Sequence, residues 1–283
     1  MTSDAQPHFF DGQISTLIDA CSESMTNIGA LAQELSDEQW VTASPCPGWT
    51  VGDIVGHVVA LERQLVGDSL PAHSPDWAAL PHVRDDEFSR FMEMGVDARR
   101  GSTREAVVTE LVEVIPRRDA QLRSIEPDPE LLVSGPAGSQ VPLGRIMRMR
   151  VFDLWIHEQD IRSAINQPGH EATQGAHITA ESLVSSLPML WGKKVGAQPG
   201  QSLRVDVSGG ISFSCKVEVD EDGRAGFVPL SSRAPTARVE LDWLTYVALG
   251  TGRSTFGDFS EGVNLDGNVG LAQRALEFAN IAP

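Results

Sequence analysis

The chain has 283 residues, 41% hydrophobic and 22% charged, with a formal net charge of -17 from 39 acidic against 22 basic residues. That hydrophobic content fills one large or two ordinary domains and excludes large-scale disorder, while so acidic a surface repels phosphate backbones and argues against nucleic-acid binding. Three cysteines without a CxxC pair (Cys21, Cys46, Cys215) argue against a disulfide framework. Residues 1–10 carry Asp4 and no basic or apolar signal region, and no apolar run reaches the roughly 20 residues that span a bilayer, so the expectation is a cytoplasmic protein with no membrane partner.

Helical spacing governs the first two thirds. Ile14, Leu17, Ile18, Cys21, Met25, Ile28, Leu31 and Leu35 form a stripe that predicts a helix from about Asp11 to Leu35. Pro45, Pro47 and Gly48 leave the segment from Ser44 to Trp49 no helical option. Thr50 then reads as an N-cap with Asp53 as its acidic partner, opening a helix to about Val66 whose apolar side is Ile54, Val58, Leu61 and Leu65. Residues 67–84 read as loop and 85–100 as helix. Ser102 with Glu105 reads as a capping box for a further helix carrying Val107, Val108, Leu111, Val112, Ile115 and Leu122, which Pro116 should kink or break. After a loop over 126–140, Pro142 suits a first helical turn, and the helix runs through Ile146, Met149, Phe152, Trp155 and Ile161 to about Ile165, stopped by Pro168-Gly169. A last helix spans about Ala176 to Leu190.

Beyond residue 200 the period changes to two. Leu203, Val205 and Val207 alternate with polar residues, Gly209-Gly210 signals a hairpin, and Ile211 to Val219 alternates again. Val239 and Leu241 end another strand, Asp242 caps a short helix to Leu249, and a glycine-rich loop from Gly250 to Gly257 follows. A short strand near Val263 to Leu265 and a helix from about Val269 to Ala279 close the chain. The pattern predicts an all-α bundle over 1–195 and an α+β domain with a mainly antiparallel sheet over 200–283, with the turn Gly196 to Gly200 between them.

Asp153 and His157 stand four apart on one helix, so both side chains can reach one ion. Asp160, three further on, either orients the imidazole or is itself a ligand. A third ligand must come from elsewhere, and His57, next to the apolar stripe of its helix, is the best candidate. The same features also fit a plain hydrogen bond or a satisfied core histidine. Cys46 precedes a helix N-terminus but reads as a small turn residue, and Arg253 either forks onto a substrate carboxylate or lies on the surface. Arg145, Arg148 and Arg150 read as a solvated helix face, and Trp49 and Trp155 as bundle packing.

Pro45-Cys46-Pro47-Gly48-Trp49-Thr50-Val51 with Asp53-Ile54-Val55 and His57, then Phe152-Asp153-Leu154-Trp155-Ile156-His157-Glu158-Gln159-Asp160-Ile161, resemble the two signatures of the mycothiol-dependent maleylpyruvate isomerase family. Leu249-Gly250-Thr251-Gly252-Arg253, Gly262 and Asp266-Gly267-Asn268 are similar to its C-terminal region, so the resemblance covers nearly the whole chain. It implies a DinB-like four-helix bundle followed by a sterol-carrier-like α+β domain. The family's His–Glu–His metal set maps onto His57, Asp153 and His157, with aspartate standing where the family has glutamate. Arg253 matches the arginine that holds the substrate carboxylate. The implied chemistry is a mycothiol-dependent transferase or isomerase: a divalent metal, zinc as first choice, favours the thiolate of mycothiol for attack on an electrophilic small molecule, with Asp160 behind His157. The implied partners are mycothiol and that electrophile, for a monomer or homodimer. Two other readings remain open: a non-catalytic protein holding an apolar or acidic small molecule in an inter-domain cleft, and a helical bundle with a vestigial site.

Overall fold

The structure is a computed structural model that describes residues 6–69, 72–134, 140–259 and 261–281. Residues 1–5, on which part of the signal-peptide reading rests, lie outside the described residues, as do 70–71 and 135–139 of the two expected loops. Two compact units emerge, Gly12–Gly169 and His170–Pro283 joined by Met1–Asp11. The last predicted helix of the first half thus groups with the C-terminal unit, whereas the change of period near residue 200 marks where its strands begin.

The first unit holds α1 (Ile14–Glu34), the single turn α2 (Asp37–Trp40), α3 (Val51–Leu65), α4 (Glu87–Asp97), α5 (Arg104–Arg123), the small hairpin β1 (Leu132–Ser134) and β2 (Gln140–Pro142), and α6 (Leu143–Ala164). Helices α1, α3, α5 and α6 pack on one another as a bundle, and α4 lies on α3. Gly95 of α4 makes that approach possible, since a Cβ there would come within 2.4 Å of the Ala60 Cβ. The core of α1 is the predicted stripe, from Ile14 and Leu17 through Cys21, Met25 and Ile28.

Helix α3 starts where expected. Thr50 Oγ1 accepts from Asp53 N–H at 3.2 Å, and Asp53 Oδ2 accepts from Thr50 N–H at 2.9 Å, a reciprocal capping box. Its inward face is turned from the expected one: Ile54, Val55, Val58, Val59 and Glu62 are buried, while Leu61 and Leu65 are half-buried. Helix α5 is capped by Thr103, whose hydroxyl accepts from Ala106 N–H at 3.3 Å, rather than by Ser102. It continues across Pro116, which is exposed. The missing N–H of Pro116 therefore opens toward water, where the freed carbonyl finds partners.

The C-terminal unit holds α7 (Gln174–Ser185), the short α8 (Leu187–Met189) continued by a wider turn over 190–194, β3 (Ser202–Ser208), β4 (Phe213–Val219), β5 (Ala225–Phe227), β6 (Ala237–Asp242), α9 (Trp243–Gly250), β7 (Asn264–Gly267) and α10 (Val269–Glu277). The sheet order is β5-β4-β3-β6-β7, antiparallel except for the β3–β6 pair. Register follows the pleat. Leu203 faces Val217 and Ala237, Val205 faces Cys215 and Val239, and Val207 faces Phe213 and Leu241, so one face is apolar. Helices α9 and α10 pack on this sheet, with Trp243, Val247, Ala272 and Leu276 buried. Asp242 caps α9 by accepting from Thr245 N–H at 3.0 Å. Residues 6–11 belong to this unit: Phe9 N–H donates to Glu181 at 2.8 Å, and its ring meets Phe213 edge-on at 5.3 Å.

Among the described residues no helix is long and apolar enough to cross a membrane.

Candidate metal centre

The bundle unit brings His57 of α3 to Asp153 and His157 of α6. One donor atom from each of the three lies within 4.8 Å of the other two. His57 Nε2 stands 3.4 Å from Asp153 Oδ2, and His157 Nε2 stands 3.3 Å from Asp153 Oδ1. The two imidazoles meet edge to face at 4.9 Å and are buried, while the carboxylate is half-buried. The four-residue spacing along α6 stacks Asp153 and His157 on one face, one turn apart.

Asp160, also buried, places Oδ2 at 3.1 Å from His157 Nδ1. A proton on Nδ1 donates to that oxygen and leaves Nε2 as the lone-pair nitrogen on the Asp153 side. His57 has no such support. Its Nδ1 is buried with no hydrogen-bond partner among the described residues. Burial pushes the His57 imidazole below its ordinary value, with Asp153 only partly opposing. For His157 burial pulls down as well, but Asp153 and Asp160 outweigh it and raise the value. Burial works against ionisation of Asp153, yet His157, Arg150 and His57 together hold its carboxyl well below the usual carboxylate range.

Three donors converging on one point, two of them buried imidazoles, fit a cation. Two imidazoles and one carboxylate are a donor set of the kind that holds zinc with a further position open.

Trp49 forms the wall of the centre. Its ring lies 5.0 Å from the His57 ring and 5.9 Å from the His157 ring. The expected role in bundle packing is thus corrected: the side chain is half-buried over the two imidazoles. The loop that carries it is closed by Ser44 N–H donating to Trp49 O (2.9 Å) and Trp49 N–H donating to Cys46 O (3.1 Å). Gly48 turns with φ +79, and a Cβ there would meet the His82 ring at 2.3 Å. Trp49 Nε1 donates to Glu93 Oε2 at 2.8 Å. Glu93 is also held by Arg100 at 2.6 Å and lies 3.3 Å from His82 Nε2.

Behind the centre lies a chain of charges that the sequence reading missed. Glu62 of α3, fully buried, accepts from Arg118 of α5 at 3.1 Å and from Arg150 of α6 at 2.7 Å, and Arg150 Nη1 also donates to Asp153 Oδ2. Arg145 and Arg148 are exposed as expected, but Arg150 is only 7% exposed, so the reading of all three as a solvated face is corrected. The arginine turns inward because Glu62 and Asp153 supply opposite charge there. Arg253 follows α9 in the C-terminal unit, where its Nη1 donates to Thr251 O at 3.0 Å.

A family model described as the mycothiol maleylpyruvate isomerase N-terminal domain matches residues 21–162. No curated protein matches the chain. A crystal structure of the mycothiol-dependent maleylpyruvate isomerase is similar at a TM-score of 0.55 and 16% identity, over 92% of this chain and 95% of that one. A structure of a His-to-Ala mutant of that enzyme is similar at 0.53 and 15%, over the same shares of the two chains (92% and 95%). At such identities the likeness is one of fold, and it extends through both units. The family model, which spans half of the chain and contains all three residues of the centre, decides the affiliation: the chain belongs to the mycothiol maleylpyruvate isomerase N-terminal domain family.

Proposed function

We propose that this chain is a mycothiol-dependent metalloenzyme, a thiol S-transferase or isomerase acting on an electrophilic small molecule, with His57, Asp153 and His157 holding a divalent metal. The observation that carries the reading is the convergence of these three donors from two helices. The ion supplies Lewis acidity that favours the thiolate form of a bound thiol at neutral pH. Zinc suits the donor set best.

The chain's own residues supply the rest. Asp160 holds the Nδ1 proton of His157 and so keeps Nε2 available. Trp49 shields the two imidazoles on one side and limits water there. Arg253 is assigned to the carboxylate of an acidic substrate, a role that rests on the matching Leu249–Arg253 motif and on the fork geometry of guanidinium. No protein thiol is needed as nucleophile. Cys21 and Cys215 are buried, and burial pushes each thiol up to about 12. The odd number of cysteines, with no CxxC pair, accords with a reducing, cytoplasmic setting.

The test is elemental mass spectrometry on freshly purified protein beside His57→Ala and His157→Ala. Near-stoichiometric zinc in the wild type, absent from both folded variants, is the expected result. The zinc-loaded protein should then consume mycothiol in the presence of maleylpyruvate or a related activated double bond. A wild type that holds no metal and takes up none when zinc is added defeats the enzyme reading and leaves a ligand-binding protein.

A further inference from the structure

We propose that Arg150 is a positioning residue for the metal centre: backed by Glu62, it takes Asp153 Oδ2 and leaves Oδ1 as the single carboxylate oxygen for the ion. This rests on the metal reading above and adds a part that the donor set alone does not contain.

The anchor of the arrangement is Glu62. It stands in the core of α3, fully buried, and both of its oxygens are engaged, Oε2 by Arg118 Nε at 3.1 Å and Oε1 by Arg150 Nε at 2.7 Å. Arg118 is anchored in turn by Gln121, which donates to Leu65 O at 2.9 Å. The Arg150 guanidinium is planar and presents its donors in a fixed fork, so fixing one edge on Glu62 fixes the direction of the other. That other edge donates through Nη1 to Asp153 Oδ2. Oδ1 remains on the side of His157 Nε2, at 3.3 Å, while the oxygen engaged by Arg150, Oδ2, stands 3.4 Å from His57 Nε2.

Two further considerations point the same way. Burying two arginines and a glutamate carries a desolvation cost that an apolar replacement of similar volume avoids, so the triad is a poor way to stabilise a bundle. Its charges are matched to the centre instead: Glu62 and Asp153 against Arg118 and Arg150 sum to zero, so the carboxylate that meets the ion is ionised without leaving net charge in the core. Aspartate is also a short ligand, and a carboxylate free to rotate on a short arm needs a fixed second partner to keep one oxygen in line.

The experiment compares Arg150→Lys with Arg118→Lys in the full chain. Each retains a cation against Glu62, but only Arg150 touches Asp153, and lysine cannot fork onto two carboxylates. The readouts are the zinc dissociation constant by chelator competition and the visible absorption of the cobalt-substituted protein, which reports ligand geometry. Arg150→Lys is expected to weaken zinc by about tenfold or more and to alter the cobalt spectrum, as loss of a group that orients a ligand does, while Arg118→Lys leaves both near wild type. Equal effects of the two variants, or none, overturn the proposal, the first by showing general loosening of the core. If Arg150→Lys does not fold, Glu62→Gln takes its place, since it releases Arg150 from behind with no change of volume. It is expected to weaken zinc in the same direction, and unchanged affinity overturns the proposal. A wild type that binds no metal fails both this and the functional reading, whereas a wild type that binds zinc as tightly as Arg150→Lys fails this one alone.

Discussion

Glu62 and Asp206 are both carboxylates gripped by two arginines, one in each unit. Glu62 joins Arg118 and Arg150 inside the bundle, with none of its side chain exposed. Asp206 joins Arg204 at 2.8 Å and Arg238 at 2.7 Å on the polar face of the sheet, and takes a third bond from Ser214 at 2.5 Å. The sheet cluster ties β3, β4 and β6 together in register and keeps its charges near water. The bundle cluster surrenders hydration and touches the metal centre. Among the described residues the C-terminal unit buries one charged side chain, Lys216, while the bundle unit also buries Asp53, Glu93 and Glu158 beside those of the site. Where a fold accepts buried charge repeatedly, the charge serves a site more than stability.

Four substitutions break or sharpen this contrast. Glu62→Leu leaves Arg118 without a carboxylate partner in the core and Arg150 with Asp153 alone, and should cost about 3–5 kcal/mol, read as the urea midpoint followed by helical circular dichroism. If it costs no more than the sheet variant, the contrast fails. Asp206→Asn should cost about 2 kcal/mol, the scale of hydrogen bonds to a charged group. Burial alone would raise the Asp206 carboxyl, but Arg204, Ser214 and Arg238 hold it below the ordinary range. A depressed folded value means that the stabilisation is complete above the unfolded value, near about pH 4, and fades as pH falls through the folded value. The gap between wild type and Asp206→Asn should therefore close in acid, and a gap that widens there contradicts the assignment.

Trp49→Phe keeps a ring over the imidazoles but removes a donor from buried Glu93, at a cost of about 1–2 kcal/mol, with the zinc content retained. Loss of zinc in this variant would give the indole N–H a part in the centre that Glu93 anchoring does not account for. The smallest effect is expected from Asp242→Ala, which uncaps α9 at the end of β6 for about 1 kcal/mol. Thermal unfolding of the C-terminal unit measures it.

Much of the centre was legible because helical spacing is local. Asp153, His157 and Asp160 fall on one face by arithmetic, and Thr50 with Asp53 announces where α3 begins and hence which way His57 is carried. The charged relay was legible too, but in a form that periodicity reading discards. Glu62 continues the series Val55 and Val58, Arg118 continues Leu111 and Val114, and Arg150 stands between Met147 and Leu154, each at a position where the stripe calls for an apolar residue. Taking Leu61 and Leu65 as the inner face rotates α3 away from Glu62. Partners 56 and 88 residues away cannot be seen from any single helix. The same locality limited the sheet: Gly209-Gly210 and the alternation around it announced β3 and β4, while the parallel partner β6 is fixed only by the folded topology. The hairpin of β1 and β2 escaped notice because three-residue strands beside proline and glycine carry too little pattern to stand out.

Residues 6–11 have a consequence for the order of events during synthesis. They emerge before the bundle, yet their partners Glu181 and Phe213 lie more than 170 positions later. The bundle is in effect an insertion within the C-terminal unit, entered at Gly12 and left at Gly169, so it can complete its own core while the leading strap waits for a surface not yet made. The C-terminal unit then closes last, by its longest-range contacts, and a fragment starting at His170 would lack the ring that Phe9 sets against Phe213.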